Sequence, residues 1–357
     1  MRILVLGGLG HMGRVVTENL IQQDPLYQVS IADVSPSSDL PEGLHHFIHV
    51  DLNDNYSLES IIQDSVDLLV CTLPSELGYK CIEAAVGEGV NMVDLSFTDA
   101  DLSVFDQDAK DKGLTIVTDA GVAPGLSNLV AGRAMLSSPD EIKIMVGGMA
   151  QNMHAPFSGY TVTWSLDDLM EEYTRPARIL VNGEVQIVDA LSGVEYIRVL
   201  QEGEFYARDA AFEAFYTDGL RSLLVNNGGV PNLSEKTLRW PGHVEEISRY
   251  LTYGKHDLKH EMENLCEENA PDMLIMRIDS DDVPVTMVTK SDENMSAMAK
   301  TTALSCATFA SLVASGTLTK TGILPPEKLA DDDDVYKFVL DAMAGYGVTF
   351  SIKYPFM

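Results

Sequence analysis

The opening segment constrains this chain more than any other stretch. Arg2–Leu6 is a short apolar run that ends on glycine, Gly8, Gly10 and Gly13 follow in GxGxxG spacing, and Met12, Val15, Val16 and Leu20 recur at helical intervals. That order predicts a buried strand, a glycine turn and an amphipathic helix. Each glycine has a mechanical reason: the first permits a tight turn, the second lets a pyrophosphate approach the backbone, and the third lets helix pack on strand. Free N–H groups at the helix start, around His11, Met12 and Gly13, favour phosphate charge. A second apolar strand, Gln28–Ala32, closes on Asp33, 20 residues beyond Gly13, where an acidic side chain holds ribose hydroxyls. Val34 to Leu40 holds no arginine or lysine for a 2′-phosphate, so the expected cofactor is NAD rather than NADP.

Apolar runs continue at Phe47–Val50, Asp67–Leu73, Met92–Leu95 and Leu114–Val117, with helical stretches between most of them. Repeated strand and helix predict a Rossmann-type, doubly wound parallel sheet. Ligands bind at the carboxyl ends of such strands, which places Thr72, Leu73 and Pro74, then Asp94, Leu95 and Ser96, against the cofactor. Asp94 and Asp119 each end a strand, and a helix cap or turn role stands beside a chemical one for both.

The 357 residues suit two domains. The glycines and proline of GVAPGL, Gly121–Leu126, break the alternation, so the boundaries are expected at 1–122 for the NAD-binding domain and 123–290 for a substrate and dimerisation domain, with 291–357, C-terminal helices and a strand, returning to the first. Beyond the boundary, Tyr160–Trp164, Ala177–Val181 and Glu184–Val188 read as strands, and Asn182-Gly183 as a hairpin turn. The expected fold class is α/β, a Rossmann domain followed by an α+β domain on a mainly antiparallel sheet. A formal charge of −30 repels nucleic acid and anionic membrane and suits solubility at high salt. No continuous apolar run reaches the ~18 residues of a membrane span. The four cysteines form no CxxC pair or metal-ligand spacing, His45, His46 and His49 enter a strand that sends neighbours to opposite faces, and no metal is expected. With a strand at the very start, a cytoplasmic location is expected.

Motifs along nearly the whole chain resemble the saccharopine dehydrogenase superfamily, most closely its L-lysine 6-dehydrogenase branch: GGLGHMG, VDLSF, DAGVAPGLSNLVAG, TWSLDDLMEEYTRPA, FYTDGLRSL, TLRWPGH and GTLTKTGILPPE. The resemblance implies an NAD(P)-dependent enzyme acting at a carbon–nitrogen bond of an amino acid, as a homodimer or higher oligomer. It also implies that the long helix near Ser296–Ala314 returns to the first domain. Two departures matter. Ala123 stands in GVAPG where saccharopine-forming members carry GLDPG, and Leu166-Asp167 follows Trp164-Ser165 in place of proline and arginine. A lost arginine removes a carboxylate clamp, which favours a substrate with fewer carboxylates and a free amine.

Amine oxidation needs a base, and His243 and Asp94 compete for that role. Arg175, Arg221 and Arg239 fall inside the motifs and are candidates for clamping an α-carboxylate, against the alternative of pairing with surface acids. Ser96, Trp164, Tyr173 and Thr217 are candidate pocket residues, with a core role as the alternative. Oxidative deamination of L-lysine to a semialdehyde is the leading expectation. Saccharopine or carboxynorspermidine dehydrogenation and a non-catalytic NAD-binding sensor are the alternatives.

Overall fold

A computed structural model describes residues 1–36, 39–52, 58–62, 66–98, 100–162, 165–199, 211–267, 270–281, 284–293 and 295–351. The chain divides into one unit of residues 1–129 and 302–346, and a second of 130–301 with the residues from 347 onward.

The first unit is built on strands β1 (Arg2–Leu6), β2 (Gln28–Asp33), β3 (His46–His49), β4 (Leu68–Cys71), β5 (Asn91–Asp94) and β6 (Thr115–Val117). All pair in parallel, and the spatial order β6-β5-β4-β1-β2-β3 places the reversal between β4 and β1. Ile3–Leu6 and all of β4 are buried, as strands covered on both faces must be. Leu4, Leu6, Leu69, Ile82, Ala85 and Ile116 belong to one core cluster with the helix Ser75–Glu88. The first helix, His11–Gln23, buries Gly13, Val16, Thr17 and Leu20. Its inward stripe is thus rotated from the apolar pattern of the sequence: Met12 and Val15 are half-buried, whereas Thr17 turns inward because its hydroxyl donates to Gly13 O at 2.8 Å.

A seventh parallel strand, Gly322–Leu324, extends this sheet beside β6. The helix Ala297–Ala314 precedes it. Among the described residues it alone is long and apolar enough to cross a membrane, and 78% of it is buried inside the fold, which is the pattern of a core helix. Its interspersed Thr and Ser residues keep it from reading as one apolar run. Asp332 caps the following helix, Asp333–Gly345, by accepting from the N–H groups of Asp334 and Val335 at 3.1 Å each.

The second unit contains β7 (Glu141–Ala150), β8 (Ala177–Val181), β9 (Glu184–Val188), β10 (Glu195–Arg198), β11 (Ala211–Tyr216), β12 (Asn232–Arg239), β13 (Asp272–Asp279) and β14 (Val285–Lys290). The order is β10-β11-β12-β7-β13-β14, followed by Thr349–Ser351, and only β12–β7 is parallel. Hairpin β8–β9 turns at Asn182 and Gly183, both at positive φ (52° and 81°), as a two-residue turn of this kind requires. Tyr160–Val162 is not a strand. Gly159, at φ 80°, packs so tightly on Trp240 that a Cβ would lie 2.3 Å from the indole, and the chain turns there, sending Tyr160 into a cluster with Leu169, Tyr173 and Phe215.

Candidate active site

The glycine loop of the first unit is shaped by missing side chains. Gly7, not Gly8, makes the tight turn, at φ 77°. A Cβ on Gly8 would lie 2.4 Å from Ile31 Cγ2, and one on Gly13 would lie 2.1 Å from Gly7 O and 2.6 Å from Thr72 Oγ1. The loop therefore lies flat on β2 and β4. Gly10 precedes the helix with no side-chain cap and no acidic residue in the first turn, so the N–H groups of His11, Met12 and Gly13 are left for an anion. Asp33 is fixed at the end of β2, where its carboxylate accepts from Leu9 N and Ser35 N at 2.8 Å each. Leu73 packs on Gly7, and Pro74 immediately precedes the helix Ser75–Glu88. These residues fit a dinucleotide, with the pyrophosphate over the loop and the ribose at Asp33. Arg14, one helical turn past the loop, pairs with Glu18 and Asp39 at 2.9 Å each, and the spacing of motifs alone gave no sign of it.

Asp94 ends β5 fully buried. Its two oxygens accept from Ser96 N at 3.1 Å and Ser96 Oγ at 2.7 Å. Burial pushes its carboxyl up to about 6, against the lowering effect of the Ser96 bonds. The arrangement holds Ser96 and the loop rather than presenting Asp94 outward, and Gly78 is the residue that leaves space for it: a Cβ there would lie 1.8 Å from Ser96 Oγ.

In the second unit the structure gathers five of the candidates. Tyr173, from the helix Leu166–Thr174, donates its hydroxyl proton to His243 Nε2 at 2.8 Å, and His243 Nδ1–H donates to Phe157 O at 2.7 Å. Both ring nitrogens are thereby used. His243 is fully buried at the start of the helix His243–Leu251, and burial together with the nearby Arg239 charge pulls its pKa down to about 3. A neutral, doubly bonded imidazole positions its neighbours and is poorly placed to be the base.

Arg239, at the end of β12, donates to Glu172 Oε1 at 3.3 Å and to Leu238 O at 3.0 Å, with its guanidinium carbon 4.9 Å from the Tyr160 ring centre. Among the described residues its buried Nε and the buried Tyr160 hydroxyl have no hydrogen-bond partner. Arg175 and Arg178 both reach Asp218, the latter through two bonds of 2.9 and 2.8 Å. Arg221 lies in a short 3-10 turn at φ 48°. Thr217 bonds to Thr237 and Glu235. Trp164 lies outside the described residues.

Glu172, Glu235, Thr237 and Asp218 escaped the sequence reading. The signal was present in β12, where Glu235, Thr237 and Arg239 occupy alternate positions, hence one face. All three are buried. Burial and the negative charges of Glu172 and Asp218 push the Glu235 carboxyl up to about 8. Among the described residues no group of three or more His, Cys, Asp or Glu is arranged to hold a metal ion.

Residues 121–348, more than half of the chain, match the saccharopine dehydrogenase C-terminal domain, and residues 3–117 match the saccharopine dehydrogenase NADP binding domain. The chain belongs to this family. The mitochondrial alpha-aminoadipic semialdehyde synthase of Bos taurus is 23% identical over 278 residues, which is 71% of this chain and 28% of that protein. The NADP(+)-dependent, L-glutamate-forming saccharopine dehydrogenase of Pyricularia oryzae is 24% identical over 196 residues, 51% of this chain and 42% of that one. The matches thus span less than half the length of these relatives. Among solved structures, apo saccharopine dehydrogenase (L-Glu forming) from Saccharomyces cerevisiae aligns with a TM-score of 0.75 at 16% identity, covering 98% of this chain and 99% of that one. Homospermidine synthase from Legionella pneumophila, in complex with NAD, aligns at 0.68 and 12% identity over 99% and 91%. Both likenesses are of fold. The family's two-domain architecture, with its nicotinamide dinucleotide domain first, is the architecture of this chain.

Proposed function

We propose that this family member catalyses NAD-dependent oxidative deamination of L-lysine at its side-chain amine, giving the 6-semialdehyde. The reaction balances as R–CH2–NH3⁺ + NAD⁺ + H2O → R–CHO + NH4⁺ + NADH + H⁺. The nicotinamide ring takes the hydride when bound, and the protein must remove the ammonium proton, hold the substrate and admit water.

The observation that carries this reading is the charge arrangement of the second unit. Arg239 keeps a buried Nε–H without an acceptor among the described residues, next to the equally unbonded Tyr160 hydroxyl, while Arg175 and Arg178 are engaged by Asp218. Two buried donors left without acceptors suit a carboxylate. The surrounding acids Glu172 and Asp218 disfavour the several carboxylates of saccharopine. NAD is favoured over NADP because Asp33 stands at the ribose position and the nearby cation, Arg14, is neutralised by Glu18 and Asp39.

The test is NADH formation at 340 nm with L-lysine, saccharopine, ornithine and carboxynorspermidine, at low and high salt. Turnover of lysine alone supports the reading. Turnover confined to saccharopine or carboxynorspermidine overturns it, and NADH binding without any turnover points to a sensor.

A further inference from the structure

Four oxygen-bearing side chains run in sequence through the interior of the second unit. Glu235 Oε2 lies 3.0 Å from Thr217 Oγ1, Thr217 Oγ1 lies 3.1 Å from Thr237 Oγ1, and Thr237 Oγ1 lies 2.9 Å from Glu172 Oε1. Hydrogen-bonding all three gaps takes three hydrogens. The two hydroxyls supply one each, and an ionised carboxylate supplies none. With both glutamates ionised, each threonine would donate outward and the central pair would face each other with lone pairs only, at a site where Thr217, Thr237 and Glu235 are all buried. The third hydrogen therefore sits on a carboxyl.

Arg239 decides which one. Its Nη2 lies 3.3 Å from Glu172 Oε1 and its charge favours the anion at that end, against the raising effect of burial, whereas Glu235 has no such cation among the described residues, which leaves the proton on Glu235. The cavity around Glu235 is fitted to its carboxyl: a Cβ on Gly219 would lie 2.1 Å from Oε2. The acids facing Glu235 are Glu172 and Asp218. The cations nearby are spoken for, Arg239 by Glu172 and Arg175 and Arg178 by Asp218, and Lys236 points to the opposite face of β12, toward Glu195.

We propose that Glu235 stores one proton at neutral pH and that Thr217 and Thr237 form the relay through which it exchanges with Glu172. In the exchange the Glu235 O–H breaks as Thr217 gains a proton, Thr217 passes its own to Thr237, and Thr237 passes its own to Glu172. The number of O–H bonds is unchanged, one negative charge moves from Glu172 to Glu235, and no redox partner is involved. The use of this relay in turnover, as a proton sink behind the substrate ammonium, rests on the amine-oxidation reading above. The stored proton does not. Glu235 and the two threonines are positioning residues in this scheme.

Two measurements need no substrate. Urea unfolding of the full chain from about pH 6 to about pH 9 compares wild type with Glu235→Gln, whose amide still donates to Thr217 but does not titrate. Since the folded chain keeps a proton that the unfolded chain releases, the wild-type unfolding constant is expected to rise relative to the variant's by up to about tenfold per pH unit until Glu235 ionises. Parallel curves would overturn the proposal. Infrared spectra of wild type alone, which do not depend on a variant folding, are expected to show a protonated-carboxyl band lost across the same range, and the absence of such a band would equally overturn it. Once an active substrate is in hand, Thr217→Val is expected to abolish an ionisation near pH 8 in kcat/KM that Thr217→Ser retains. The same ionisation in Thr217→Val would sink the relay while leaving the lysine reading intact, and silence with lysine would do the reverse.

Discussion

The two units present charge by opposite means. In the first, the candidate anion site is backbone: N–H groups at the start of the helix His11–Gln23, on a loop that lies flat because Gly8 and Gly13 have no Cβ to strike Ile31 and Gly7 O. In the second, the candidate site is side chain: Arg239, Glu172, Glu235 and two tyrosines, with Glu172 and Tyr173 carried by the helix Leu166–Thr174 and His243 opening the helix His243–Leu251. A backbone site brings no buried side-chain charge that must be balanced when its ligand is absent. A side-chain site in low dielectric must be balanced charge by charge. The contrast predicts that damage to the first site weakens cofactor binding, whereas damage to the second destabilises the fold.

Removing the central cation gives the largest expected effect. Arg239→Met leaves Glu172 without its buried partner and is expected to cost about 3–5 kcal/mol in urea unfolding, with NADH affinity retained. Arg239→Met combined with Glu172→Gln is expected to recover part of that loss. A stability equal to wild type in Arg239→Met would break the comparison.

Gly13→Ala reverses the pattern. Its Cβ would meet Gly7 O at 2.1 Å, so the loop must move off the phosphate position, and NADH affinity measured by fluorescence titration is expected to fall by about 100-fold, or about 2.7 kcal/mol. Unchanged affinity would show that the loop is not the cofactor site. A smaller effect is expected from Asp33→Ala, which removes the carboxylate held by Leu9 N and Ser35 N: the NAD-to-NADP preference is expected to drop by about tenfold. A preference that does not move would place the discrimination elsewhere.

The difference between the units also explains what was legible in the sequence. Strands β1 to β6 and the glycine loop follow from short-range order, because every contact that defines them lies within a few residues or in the adjacent strand. Even there, the turn falls at Gly7, against Leu73 and Thr72, and Thr17 turns inward, neither of which the apolar spacing encodes. A C-terminal strand returning to the first domain is expected, but the place of the seventh strand, Gly322–Leu324, is not, because it pairs with residues about 200 positions earlier, at Thr115–Val117, and three residues give no periodicity to read.

The polar interior of the second unit was legible only as a set of motifs. Arg239 and Tyr173 stood out by residue type. Their partners, Glu172 and Glu235, sit among the 54 acidic residues of the chain, and residue type alone does not set them apart. His243 misled for the same reason: its ordinary pKa suits a base, but full burial and two hydrogen bonds make it a spacer.

The most direct test of the functional account is the ratio of kcat/KM for L-lysine to that for saccharopine with NAD as oxidant. A ratio well above one, lost in Arg239 variants that still bind NADH, is the predicted result. A ratio well below one would mean that the acid-rich interior of the second unit accommodates a multiply carboxylated substrate, and would contradict the account.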